Sequence, residues 1–123
     1  MKPRTVIVDD HTLLAEAFKK LLEGECDVVA TYGDARQFLL DVPRLNPEVV
    51  ILDLSMADLG GLEVLKTLRQ LDEQARVIVV SADVQRSTEQ SVKAAGAERF
   101  LAKPANAEQL AAAISDVLGA SRP

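Results

Sequence analysis

Aromatic residues are almost missing from this chain: phenylalanine, tyrosine and tryptophan make up 3% of its 123 residues. Hydrophobic residues still reach 48%, so any core is aliphatic. There is one cysteine, Cys26, which excludes an internal disulfide and fits a reducing compartment. It reads as a small buried or half-buried hydrophobe rather than a redox centre. Positive charge is in deficit. With a net charge of −5 and a pI near 4.8, the chain has no general affinity for phosphate backbones, and direct nucleic-acid binding by this domain is not expected. No apolar run approaches the roughly 20 residues that span a bilayer. The opening Met-Lys-Pro-Arg-Thr leads into a short apolar stretch ending in two aspartates, which is not a signal peptide. A cytoplasmic protein with no membrane partner is the expectation. Histidine occurs once, as His11. A single histidine makes a poor metal site, and His11 reads as a solvated helix start.

What is present is a regular alternation. Thr5–Asp9, Val49–Asp53 and Arg76–Ser81 are short β-branched runs without polar alternation, the pattern of strands covered on both faces. Arg99–Lys103 reads as a further strand, and Asp27–Thr31 as a weaker one. Amphipathic stretches separate them. The first gathers Leu13, Leu14, Ala17, Phe18, Leu21 and Leu22 on one face and stops at Gly24. The second gathers Ala35, Phe38, Leu39 and Val42, with Pro43 expected to end it. Leu62, Leu65, Leu68 and Leu71 form a third; Val84, Ser91, Val92 and Ala95 form a fourth and poorer one, closed by Gly96. Leu110, Ala113, Ile114, Val117 and Leu118 form the last, before Gly119. The order βαβαβαβαβα implies one parallel sheet with helices on both faces. Residues 1–118 read as this domain and 119–123 as a tail or the start of a linker.

In such a sheet, ligands bind beyond the carboxyl ends of the strands. Strand one ends in Asp9-Asp10, strand three in Asp53, strand four in Ser81-Ala82 and strand five in Lys103-Pro104. Taken singly, each is an ordinary turn or capping residue. Together they bring three carboxylates, a hydroxyl and an ammonium to one edge. Neighbouring strands lie about 4.8 Å apart, so the carboxylates repel and one is forced towards protonation unless a cation intervenes. A hard divalent ion such as Mg²⁺ removes the conflict. The result is an anionic nucleophile flanked by cations, suited to accept a phosphoryl group as an aspartyl phosphate.

At these residues the chain resembles the receiver domain of two-component response regulators. Asp9-Asp10, Asp53, Ser81 and Lys103-Pro104 occur in the family's order and near its spacing. Leu54-Ser55-Met56, Gly60-Gly61-Leu62-Glu63 and Ala94-Ala95-Gly96-Ala97 resemble its connecting segments. The resemblance implies a doubly wound five-stranded parallel sheet, order 2-1-3-4-5, with five helices. It implies that Asp53 is the phosphoacceptor; that Asp10 and Asp53 bind Mg²⁺ together with the Ser55 carbonyl, with Asp9 acting through water; that Lys103 and Ser81 contact the phosphoryl group; that Phe100 is the switch aromatic; and that the Lys103–Pro104 peptide is cis. The donor is then a histidine kinase or phosphotransfer protein, with slow autodephosphorylation. Output passes through helix four, strand five and helix five to an effector or to the protein's own output domain, with a possible homodimer on phosphorylation. The chain departs from the family at Ala57, where proline is common, and at Asp58, which adds a carboxylate. Asp83 and Ser55 occupy positions that in the family influence access of water to the phosphoryl group.

Rival readings are weaker. A phosphohydrolase using Asp53 would often carry a second aspartate two residues on, where Ser55 stands. A flavin carrier needs a Ser/Thr/Gly-rich loop where Asp9-Asp10 stands. A degenerate receiver would have lost part of the constellation. The chain is read as a switch rather than an ordinary enzyme, either stand-alone or the receiver of a longer transcriptional regulator with a C-terminal DNA-binding domain.

Overall fold

A computed structural model describes residues 2–55, 60–71 and 74–120. Its elements alternate without exception: β1 (Arg4–Val8), α1 (Thr12–Leu22), β2 (Asp27–Tyr32), α2 (Ala35–Leu45), β3 (Val49–Asp53), α3 (Gly61–Gln70), β4 (Arg76–Ser81), α4 (Arg86–Ala94), β5 (Arg99–Ala102) and α5 (Ala107–Ala120). The strands pair in parallel in the order β2-β1-β3-β4-β5, as expected. β3 sits at the centre, with Asp53 opposite Val80 of β4.

The continuous apolar runs explain the layering. Successive side chains of a strand point to opposite faces. Val6, Val8, Val50, Leu52, Val77 and Val79 therefore meet α2, α3 and α4, where Phe38, Val42, Leu65, Leu68 and Val92 are buried. Ile7, Ile51, Ile78 and Val80 face the opposite way, against Phe18 and Leu22 of α1 and Leu110, Ile114 and Val117 of α5. Each such side chain contributes on the order of 2 kcal/mol on burial, and this two-sided core holds the strand ends in fixed register. β2 and β5 are the edges, and both are only partly covered.

Several local expectations are corrected. Leu13 and Leu21 are 87% and 65% exposed, and α1 buries the narrower stripe Ala15, Phe18 and Leu22. The helix packs against one sheet face only, so the wide apolar band read from sequence is half unused. Pro43 does not end α2. It lies in the last turn, where the missing N–H removes one bond while buried Val42 and Leu45 keep the helix on the core. The end comes at Asn46, which is left-handed (φ 48°) and donates its N–H to the Val42 carbonyl. Leu71 lies past α3 and is exposed, and Val84 lies before α4 and is 61% exposed. α5 continues through Gly119 to Ala120. Gly96 closes α4 as expected, with φ +116°.

Candidate functional site

The chemical residues stand at the ends of the ladder or one residue beyond it. Asp9 extends β1 by donating its N–H to the Tyr32 carbonyl at 2.8 Å. Leu54, after Asp53, donates to Val80, and Lys103 donates to Ser81 at 2.8 Å. Backbone pairing thus fixes Asp9, Asp53, Ser81 and Lys103 before any side-chain contact is made. The Lys103–Pro104 peptide is cis.

Asp53 is 2% exposed. Its Oδ1 accepts the Ser55 backbone N–H at 3.1 Å and lies 3.0 Å from Lys103 Nζ. Its Oδ2 is buried without a hydrogen-bond partner. Leaving a buried carboxylate oxygen unpaired is costly. That oxygen lies 3.8 Å from His11 Nδ1, on the side of Asp9 and Asp10. One ligand atom from each of Asp9, Asp10, His11 and Asp53 falls within 4.8 Å of all the others. Three carboxylates therefore face one ammonium, and an oxygen-seeking dication fits both the charge and the orphaned Oδ2. Asp9 is buried; its Oδ1 accepts the His11 backbone N–H at 2.8 Å.

A cavity of about 320 Å³ lies against this edge, lined by Leu14 and Phe18 of α1, by Ile7, Ile51 and Val80 of the sheet, and by Asp9, Asp53, Lys103, Pro104 and Ala105. Its apolar walls keep the local dielectric low and strengthen the Lys103–Asp53 attraction.

Ser81 is fully buried. Its Oγ accepts the Asp83 backbone N–H at 2.9 Å. Asp83 accepts the Gln85 N–H at 3.1 Å and the Thr88 hydroxyl at 2.7 Å, which together hold its carboxyl below the usual range. Ala82, between them, is exposed. Phe100 is half-buried, stands opposite Val79 and packs on the core beneath α4. Ala57 and Asp58 lie outside the described residues.

The structure thus gathers Asp9, Asp10, Asp53 and Lys103, with Ser55 adjoining through its backbone. The sequence reads His11 as a solvated helix start, which does not foresee where its ring lies. It is exposed, as expected, but its ring turns back over the carboxylates, 3.1 Å from Asp9 Oδ1 and 3.4 Å from Asp10 Oδ1. The signal was its place directly after the aspartate pair.

A family model, the response regulator receiver domain, matches residues 5–115. The chain belongs to that family. The chemotaxis protein CheY of Bacillus subtilis is 33% identical over 119 residues, covering 96% of this chain and 99% of that protein. The transcriptional regulatory protein UhpA of Salmonella typhimurium is 34% identical over 113 residues, but the chain spans only 56% of its length. Among solved structures, the receiver domain of the response regulator NarL from Mycobacterium tuberculosis superposes with a TM-score of 0.89 at 28% identity, covering 98% of each chain. This is therefore a receiver domain of a two-component response regulator. Receiver domains bind Mg²⁺ at an acidic pocket, and Asp9, Asp10 and Asp53 form one here. They work with histidine kinases and output domains. No helix among the described residues is long and apolar enough to cross a membrane.

Proposed function

We propose that this receiver domain, residues 1–118, accepts a phosphoryl group on Asp53 from a sensor histidine kinase or phosphotransfer protein, or from a small acyl phosphate. The observation that carries this is the asymmetry of the Asp53 carboxylate, with Lys103 and the Ser55 N–H on one oxygen and no hydrogen bond on the other. Asp10 and Asp53, the Ser55 carbonyl, and Asp9 through water would hold Mg²⁺, which would supply neutralising charge for the carboxylates and the incoming phosphoryl oxygens.

An Asp53 oxygen bonds to phosphorus as the P–N bond of the donor breaks and the imidazole nitrogen regains its electron pair. Lys103 shifts from the carboxylate to a phosphoryl oxygen, and the Ser81 hydroxyl donates to another. Water later attacks phosphorus, releasing inorganic phosphate and restoring the carboxylate. No second aspartate stands two residues past Asp53 to speed that step, since the position is Ser55. The output is conformational, carried by α4, β5 with Phe100, and α5, and the domain acts as a cytoplasmic switch rather than an ordinary enzyme. Kinship with CheY over its full length supports a stand-alone regulator; kinship with about half of UhpA supports a receiver joined to a DNA-binding output domain.

The test is peptide mapping after treatment with Mg²⁺ and acetyl phosphate. Label is expected at Asp53 and lost in Asp53→Asn; undiminished label in that variant overturns the assignment.

A further inference from the structure

We infer that His11 is a protein ligand of the metal site, and that it tunes this receiver towards a transition-metal dication such as Zn²⁺. The inference rests on the reading above that Asp9, Asp10 and Asp53 hold a divalent cation, and it concerns which cation they hold best.

The distances carry it. His11 Nδ1 lies 3.1 Å from Asp9 Oδ1, 3.4 Å from Asp10 Oδ1 and 3.8 Å from Asp53 Oδ2. Donor atoms that share one small cation at about 2.1 Å stand roughly 3 to 4 Å apart, depending on the angle between them. All three separations fall in that range, so His11 Nδ1 can share one ion with these carboxylates once its hydrogen bond to Asp9 Oδ1 gives way. Asp53 Oδ2, buried without a hydrogen-bond partner, points independently to cation binding at the same centre.

The backbone explains why the ring is there. His11 is the N-cap residue of α1, yet its side chain caps nothing. Its carbonyl accepts the Ala15 N–H at 3.0 Å, and its own N–H is held by Asp9 Oδ1 at 2.8 Å. Those two bonds fix the main chain and leave the ring against the carboxylates, with its side chain 64% exposed. It thereby covers the solvent side of the site, where waters would otherwise complete the shell of Mg²⁺.

Ligand chemistry then sets the preference. Carboxylates and water suit Mg²⁺, whereas imidazole nitrogen suits zinc and its neighbours. One carboxylate oxygen each from Asp10 and Asp53, the Ser55 carbonyl and the imidazole nitrogen then make a four-donor set, with Asp9 acting through water. In the hydrogen bond at 3.1 Å, His11 Nδ1–H donates to Asp9 Oδ1; for Nδ1 to bind a metal the ring proton moves to Nε2.

The experiment titrates the tag-free whole protein with ZnCl₂ and, separately, MgCl₂ by calorimetry, for wild type, His11→Ala and Asp10→Ala. His11 is the chain's single histidine, so every imidazole nitrogen signal in a long-range ¹H–¹⁵N spectrum belongs to it. Expected are a Zn²⁺-dependent shift of Nδ1 and a loss of Zn²⁺ affinity in His11→Ala at least about tenfold larger than its loss of Mg²⁺ affinity. Asp10→Ala is expected to weaken both metals. An unmoved Nδ1 signal with equal losses for both metals overturns the role of His11 while leaving the acidic site standing. Undiminished binding of both metals by Asp10→Ala overturns the site, and the inference with it.

Discussion

The Ser81 hydroxyl accepts the backbone N–H of Asp83 at 2.9 Å, and the Asp83 carboxylate holds the Thr88 hydroxyl of α4 at 2.7 Å. On the proposed function, the Ser81 hydroxyl would donate to a phosphoryl group on Asp53 while its oxygen accepts the Asp83 N–H. The β4–α4 loop would thus be tied at one end to the candidate site and at the other to α4. Thr88→Val keeps the shape of the side chain and removes its hydrogen bond. Amide exchange is expected to quicken across residues 83–92 and to stay unchanged in α2 and β1. Unaltered exchange across the loop would show that Asp83 and Thr88 do not restrain it.

Lys103→Ala separates metal binding from transfer. The ammonium lies 3.0 Å from Asp53 Oδ1, so its removal leaves the cation without a competitor. Mg²⁺ affinity is expected to hold or rise. The rate of labelling by acetyl phosphate should fall on the order of 10²-fold, the usual cost of losing one charge-stabilising donor. A variant that labels and switches at the wild-type rate assigns Lys103 a purely structural role.

A pH prediction comes from the far edge of the sheet. The Tyr32 hydroxyl donates to Asp41 Oδ2 at 2.6 Å. Burial first, and the Asp41 hydrogen bond second, push the phenol above its ordinary 10.0. The same hydrogen bond holds the Asp41 carboxyl below its ordinary 3.8. The signs follow from linkage. The raised tyrosine contributes stability that is fully present below pH 10.0 and lost as pH climbs through its folded value. The lowered aspartate contributes stability that is present above 3.8 and lost as pH falls through its folded value. Tyr32 is the single tyrosine, so the tyrosinate absorbance reports it alone. Its midpoint is expected above 10.0 and should drop in Asp41→Asn. An ordinary midpoint in wild type would contradict the contact.

The parts of this molecule that were legible in the sequence are those where one physical rule acts alone. Val49–Asp53 and Arg76–Ser81 are buried on both faces, so nothing competes with the β-branched signal, and their terminal Asp53 and Ser81 could be placed on one edge. β2 was weaker to read because it is an edge strand whose residues are only partly covered. The face of α1 was misjudged since leucine count does not say which third of a helix meets the sheet; Ala15 is buried while Leu13 is not. Pro43 misled because its rule concerns helix interiors, and its neighbours' burial decides the last turn. The place of the His11 ring beside the carboxylates was not legible because it depends on the turn at Asp9–His11, held by the His11 N–H on the Asp9 side chain and the Ala15 N–H on the His11 carbonyl, rather than on composition.

The last prediction concerns α4. Among its residues Val92 alone is buried, whereas α3 buries Gly61, Val64, Leu65 and Leu68. Single-point anchoring makes α4 the helix that separates from the sheet at least cost. Next to it, Phe100 is half-buried on β5. On the proposed function it is expected to turn further in as Ser81 and the β4–α4 loop move, a shift between two packings both populated before phosphorylation. Beryllofluoride with Mg²⁺ is expected to move amide resonances around Asp53 and across residues 82–104, and to leave the exposed face of α1 near Leu13 and Leu21 unmoved. Val92→Ala should loosen α4 selectively, raising its exchange before the global transition, while Leu68→Ala in α3 should destabilise the whole domain by about 3 kcal/mol. Perturbations confined to α1 and α2 would place the output surface elsewhere. Uniform loosening in Val92→Ala would show that α4 is bound to the fold as firmly as its neighbours.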